Sequence, residues 1–289
     1  MKMGASRPLY AIGDVHGDAD RLLRILTAHG LVDVSEDTVR FVKRGVVVLL
    51  MGDVLDAKSR HGPFGDMVFE KTRSDLWILE FLRVAAREAR EVGSEVVAVL
   101  GNHELMNLRG DMQYASPHHS KVPGARQAYF EKGQGKLALA ELFHTSIVYN
   151  GNHYSHAGIP LNATDAQKRM LGKRAGPNLL AMAADPHLEN LVAHRDYASS
   201  AGRGDRSFRA ATICRRHNVH RMVIGHNYTE GQGIVSSYEG RVVYTDTGIS
   251  RAFTVSDDPK ALEIVYDAGA GDLVALRIDG SSAPIPERA

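Results

Sequence analysis

Along the chain, apolar positions come in two kinds of stretch. Short β-rich runs recur at PLYAI (8–12), VVVLLM (46–51), VVAVL (96–100), SIVYN (146–150), RMVI (221–224) and RVVY (241–244), each four to six residues long. That length suits strands rather than helices. Longer stretches with helical spacing lie between some of them, from Asp18 to His29 and from Ser74 to Val92, the second placing Leu76, Leu79, Leu82 and Ala86 roughly on one face. Strand, helix, strand requires parallel pairing, so the first hundred residues predict βαβ units, and the later, more closely spaced strands predict a second sheet. No repeat, low-complexity tract or long linker divides the chain. One domain over 1–289 is expected, with a flexible tail, DGSSAPIPERA, from about 279.

The strand-like runs end in polar chemistry. PLYAI leads to Gly13-Asp14-Val15-His16-Gly17, VVVLLM to Gly52-Asp53-Val54-Leu55-Asp56, and VVAVL to Gly101-Asn102-His103-Glu104. Later, SIVYNGNHYS leads to His156-Ala157-Gly158 and RMVI to Gly225-His226-Asn227. The carboxyl ends of strands in an open α/β sheet lie along one edge, where ligands gather, and a glycine beside each polar group lets the backbone turn sharply. Asp14, His16, Asp53, Asp56, Asn102, His103, His156 and His226 are therefore expected at one place. Mixed carboxylate oxygen and imidazole nitrogen suits Mn, Fe or Zn, whereas Ca prefers oxygen alone. So many groups exceed one tetrahedral ion but fit two ions about 3.5–4 Å apart that share a carboxylate.

Composition narrows the setting. With 44% hydrophobic and 24% charged residues in 289, the chain can bury a substantial core. Lys plus Arg (35) balances Asp plus Glu (34), so the overall field points to neither nucleic acid nor a membrane surface as partner. The single cysteine, Cys214, excludes thiolate metal sites and internal disulfides and suits a reducing compartment. The N-terminus has no apolar core of a signal peptide, and no run of about 18 apolar residues could span a bilayer. A cytoplasmic location is the expectation.

In order, GDVHG, GDVLD, GNHE, SHAGI and GHN resemble the motif set of the calcineurin-like metallophosphoesterases, over most of the chain from Gly13 to about Gly248. GNHELMNLRGDMQYAS, HRDYAS and YTDTGISRAF further resemble the Shewanella-like branch of the phosphoprotein phosphatases. The resemblance implies a central β-sandwich of two mixed sheets flanked by helices. It puts Asp14 and His16 on one metal ion, Asp53 between both, and Asn102, His156 and His226 on the second. It also implies a metal-bridging hydroxide that attacks phosphorus in line, His103 as the general acid and Asp56 as the group that fixes its tautomer. Glu104 would anchor the turn. His153, three residues before His156, is separated from it as a ligand by the resemblance alone.

One departure stands out. The family continues Gly-Asp-x-x-Asp with Arg-Gly, but this chain has Ala57-Lys58-Ser59-Arg60. Arg195, which matches a second family arginine, and Arg60 are the candidates to grip substrate phosphate with a planar fork. Plainer readings apply elsewhere. Asp and Asn after strands often only cap turns. Arg109 and Asp111 read equally as loop ion-pair partners, Asp246 as a turn residue or a support behind the ligands rather than a ligand, His118 and His119 as surface residues, and Cys214 as a buried thiol. Tyr114 and Tyr228 could line a pocket. The expected activity is that of a metal-dependent phosphomonoesterase acting on phosphorylated protein or peptide, with phosphotyrosine implied by the Shewanella-like resemblance. A dinucleoside polyphosphate hydrolase and a metal-binding regulatory protein without turnover are the alternatives.

Overall fold

The computed structural model describes residues 7–35, 38–57, 75–115, 124–198, 203–253 and 258–288. Its first sheet is built on β1 (Leu9–Ile12), β4 (Val47–Leu50), β5 (Glu95–Val99) and β6 (Phe143–His144), all parallel neighbours. Between β1 and β4 come helix α1 (Ala19–Ala28) and the small hairpin β2 (Val32–Val34) and β3 (Val39–Phe41). Between β4 and β5 comes α2 (Asp75–Glu91), so the two long amphipathic stretches of the sequence are helices within a residue of the expected bounds. The second sheet has the order β10 (Val235–Ser237), β11 (Val242–Tyr244), β9 (Arg221–Ile224), β8 (Asn152–Ser155) and β7 (Ile147–Tyr149), with β8, β9 and β11 mutually parallel.

Side-chain alternation explains why the central strands read as continuous apolar runs. Leu9, Ala11, Val47, Leu49, Val97 and Val99 face the second sheet, where they meet Tyr149, Tyr154, Val223 and Val243. Their neighbours Tyr10, Ile12, Val48, Leu50, Val96 and Ala98 face the other way, onto Leu22 and Ile25 of α1 and Ile78, Leu79 and Leu82 of α2. The outer face of the second sheet, through Met222, Ile224, Val242 and Tyr244, packs on Ala210, Ile213 and the buried Cys214 of the later helix Arg203–Arg216. Helix, sheet, sheet, helix is a four-layer sandwich, the α/β class expected.

The C-terminal segment was not legible in the same way. β12 (Ile264–Asp267) returns to β1 antiparallel, opposing Tyr266 to Tyr10, and β13 (Leu273–Leu276) and β14 (Ser282–Pro284) extend that edge. Residues 282–288, within the stretch expected to form the tail, make backbone hydrogen bonds to the second sheet. The Ser236 N–H donates to the Pro286 carbonyl (2.7 Å) and the Arg288 N–H to the Ser236 carbonyl (2.6 Å), so these residues bridge the two sheets. Among the described residues no helix is long and apolar enough to cross a membrane.

Buried histidine makes the fold sensitive to acid. Burial, helped by Lys43, lowers His29 to about 4; burial, helped by Arg174, lowers His144 to about 4. An unfolded histidine titrates near 6.5, so the unfolded chain binds more protons in this window and stability falls as pH drops from about 6.5 towards 4. His29 should contribute a loss of up to about 2 kcal/mol between pH 6.5 and 5. The urea midpoint of the parent, measured relative to that of His29→Phe, should therefore fall between pH 7 and pH 5; an unchanged difference would refute the assignment.

Candidate active site

Three parallel strands from each sheet end at one rim. The loops after β1, β4, β8, β9 and β11 carry Asp14 and His16, Asp53 and Asp56, His156, His226, and Asp246 respectively, and Asn102 and His103 open the helix Asn102–Leu108 that follows β5. Backbone bonds lock the first two loops together, with the His16 N–H on the Asp53 carbonyl (2.8 Å) and the Gly17 N–H on that of Val54 (2.8 Å). Four site residues sit in the left-handed region that non-glycine residues seldom adopt: His16 (φ 42°), Asp53 (47°), Asp56 (73°) and His226 (63°). Two flanking glycines are required by close approach. A Cβ at Gly101 would lie 2.2 Å from Asp53 Oδ1, and one at Gly225 2.3 Å from Asp14 Oδ1.

The result is a cavity of about 230 Å³. Asp14, His16, Asp53, Asn102, His103 and His226 line it, with Arg195 and Asp246 beside them and Tyr114, Tyr228 and Phe253 at its aromatic side. Asp53 Oδ2 lies 3.3 Å from His156 Nε2, 3.7 Å from His16 Nε2 and 3.9 Å from His103 Nε2. Its other oxygen accepts from the His103 N–H at 2.9 Å. His156 Nε2 is also 3.2 Å from Asn102 Oδ1, while its Nδ1 meets the Met51 carbonyl at 2.8 Å, which leaves Nε2 turned inward. His226 is oriented by its Nε2 against the Ala193 carbonyl (3.1 Å), and its N–H donates to Asp14 Oδ2 (3.0 Å). Two trios of donor atoms close enough to share an ion emerge, His16–Asp53–His103 and Asp53–His156–His226.

The electrostatics ask for positive charge. Burial pushes the Asp14 carboxyl well up, and nearby Asp246 adds to it. Burial likewise lifts Asp246 to about 7. Burial would lift Asp53 too, but the imidazoles of His156, His103 and His16 outweigh it and hold that carboxyl well below its usual range. For His156, burial works against the cation but Asp53 and Asp14 prevail, raising it to about 10. Asp14 Oδ1 is buried without a hydrogen-bond partner. A crowded set of carboxylate oxygens, an amide oxygen and imidazole nitrogens with an unpartnered oxygen fits metal cations of the Mn, Fe or Zn type.

A second network stands behind this one. His103 Nδ1 is 2.8 Å from Asp56 Oδ2, as the sequence reading expects of that pair. Glu104 accepts four backbone N–H groups, from Gly101 (2.9 Å), Asp53 (2.9 Å), Val54 (2.9 Å) and Leu55 (3.3 Å), and so ties the turn after β5 to the turn after β4. Arg195 lines the cavity with Nη1 on the His226 carbonyl at 2.9 Å. Arg60, Lys58, His118 and His119 lie outside the described residues. Ala57 is fully buried against Ala252 and Phe253, so the position where the family has arginine is an apolar contact in this chain. His153 is turned from the cavity, its Nδ1 3.4 Å from Ser155 Oγ, and Arg109 pairs with Glu189 at 2.6 Å. Asp246, read in the sequence as a turn residue, both accepts from the Gly248 N–H (3.3 Å) and lines the cavity. Its signal was present, since it too follows an apolar strand. Arg126 and Asp75, which reach Asp56 from behind, had no such signal.

The sequence profile described as calcineurin-like phosphoesterase matches residues 7–229. An uncharacterized protein of Schizosaccharomyces pombe is 28% identical over 261 residues, 85% of this chain and 74% of that one. Shewanella-like protein phosphatase 2 of Arabidopsis thaliana is 36% identical over 108 residues, which is 37% of this chain but only 23% of that protein. Among solved structures, the cold-active protein-tyrosine phosphatase of a psychrophilic Shewanella superposes with a TM-score of 0.73 at 19% identity, covering 99% of this chain and 83% of the other. That last likeness is one of fold.

Removing the Glu104 carboxylate should be costly. Glu104→Ala leaves four buried N–H groups without their acceptor and should destabilise the metal-free protein by at least about 3 kcal/mol, whereas Glu104→Gln, which keeps an acceptor oxygen, should lose less. Chemical denaturation of both variants checks the order.

Proposed function

The chain belongs to the calcineurin-like phosphoesterase family, and from that premise we propose that it is a dinuclear-metal phosphomonoesterase that dephosphorylates protein, with phosphotyrosine preferred. The observation that carries the reading is the place of Asp53 between the two sets of donors, its Oδ2 3.7 Å from His16 Nε2 on one side and 3.3 Å from His156 Nε2 on the other. Asp14, His16 and Asp53 would hold one cation, and Asp53, Asn102, His156 and His226 the other. When bound, such a pair supplies Lewis-acid chemistry, lowering the pKa of water and neutralising charge on the phosphoryl oxygens.

The remaining work falls to side chains of this chain. Arg195, at the cavity wall, offers its guanidinium to the phosphate oxygens. His103 donates a proton from Nε2 to the departing oxygen, because its Nδ1 is held by Asp56 at 2.8 Å and its other nitrogen faces the cavity. Aromatic preference is supported by the rings around that point. Tyr114 lies 5.2 Å from the His103 ring and Phe253 4.7 Å from the His16 ring, so a flat leaving group would meet ring edges and faces.

The decisive assay is turnover of a phosphotyrosine peptide, a phosphoserine peptide and diadenosine tetraphosphate, before and after chelation and with Mn restored. The expected result is phosphotyrosine first and full dependence on metal. Preference for the dinucleotide, or activity that survives chelation, would overturn the reading. Asp53→Asn should lose both metal retention and activity, and His103→Asn should keep metal while slowing poor leaving groups by about 10²–10⁴-fold and good ones far less.

A further inference from the structure

Behind the Asp56–His103 pair lies a buried arginine that no part of the proposed chemistry uses. Arg126, 3% exposed, belongs to the helix Ala125–Glu131, and its guanidinium reaches three partners at once. Nε donates to Asn107 Oδ1 (2.7 Å) and Nη1 to Asp75 Oδ1 (3.0 Å). Nη2 donates both to Asp75 Oδ2 (2.6 Å) and to Asp56 Oδ1 (2.9 Å). Asp56 and Asp75 are both fully buried.

The geometry points to Arg126 as a positioning residue for His103, acting through Asp56; this rests on the reading of His103 as the proton donor. A carboxylate that faced His103 alone could rotate and present either oxygen. Here Oδ1 is filled twice, by Arg126 Nη2 and by Asn107 Nδ2 at 2.9 Å, so only Oδ2 remains for His103 Nδ1. Asp75 completes the device. It takes the guanidinium in a two-oxygen clasp and also accepts the Asp56 N–H at 3.0 Å, so one carboxylate balances Arg126 and the charge of Asp56 is left to His103. A buried ion pair alone is weak support for stability, because desolvation offsets most of the attraction. Orientation of the neighbouring imidazole is what this arrangement provides, and it depends on the planar fork rather than on charge alone.

The test uses the full chain loaded with Mn and two aryl substrates, p-nitrophenyl phosphate with a good leaving group and phenyl phosphate with a poor one. Arg126→Ala should lose about 10²-fold in kcat on phenyl phosphate and less than about 10-fold on p-nitrophenyl phosphate, with metal content unchanged, the pattern of a lost proton donor. The double variant with His103→Asn should be no slower than His103→Asn alone to within about threefold, since both changes remove one function. Long-range proton–nitrogen spectra should show the His103 imidazole protonated at Nδ1 in the parent and losing that fixed form in Arg126→Ala. Should Arg126→Ala fail to fold, Arg126→Lys keeps the charge without the fork and should show the same leaving-group dependence at smaller amplitude. Equal losses on both substrates, or additive losses in the double variant, would overturn the role of Arg126 while leaving that of His103 intact. Absence of leaving-group dependence in His103→Asn itself would remove both.

Discussion

Asp53 is a buried carboxylate with three imidazoles within 3.9 Å of one of its oxygens and a backbone N–H on the other. Its own N–H is taken by Glu104 and its own carbonyl by the N–H groups of Val15 and His16. The turns after β1, β4 and β5 therefore meet through this one residue, and His156 reaches it from the second sheet. An anion so placed is stable only if positive charge surrounds it. Histidine supplies part of that charge. Metal cations, with the raised Asp14 and Asp246 carboxyls close by, are the natural remainder.

Holding this cluster costs backbone strain. His16, Asp53, Asp56 and His226 each have positive φ, a conformation that costs about 1–3 kcal/mol where the surroundings impose it. The surroundings here are two sheets whose central strands are buried on both faces, so the turns cannot relax without unpacking Leu49, Val99 or Val223. Strain is concentrated where side chains must converge, and the sandwich behind them supplies the rigidity. The same logic explains why a residue as small as glycine stands beside Asp53 and Asp14, where any side chain would displace a carboxylate oxygen.

The replacement of the family arginine by Ala57 changes how phosphate could be held. Ala57 packs on Ala252 and Phe253, and Phe253 in turn meets His16, so this side of the cavity is apolar and aromatic rather than cationic. Among the described residues Arg195 is the guanidinium that lines the cavity.

Much of this could be read from local pattern. Apolar runs of strand length, each ending in glycine and a polar side chain, located the rim residues Asp14, His16, Asp53, Asn102, His103 and His226, the family resemblance singled out His156 over His153, and the helical periodicity located α1 and α2 almost to the residue. Those features are set within a few neighbouring residues, where sequence periodicity reports directly on which side of an element is buried. Other features depend on pairings between distant segments that leave no local trace. The return of β12 to β1, the bridging of the sheets by residues 282–288 and the Arg126–Asp75 clasp on Asp56 were decided only by tertiary structure. A buried charge or an edge strand finds its partner by proximity in space, and one sequence contains no period or spacing that encodes it.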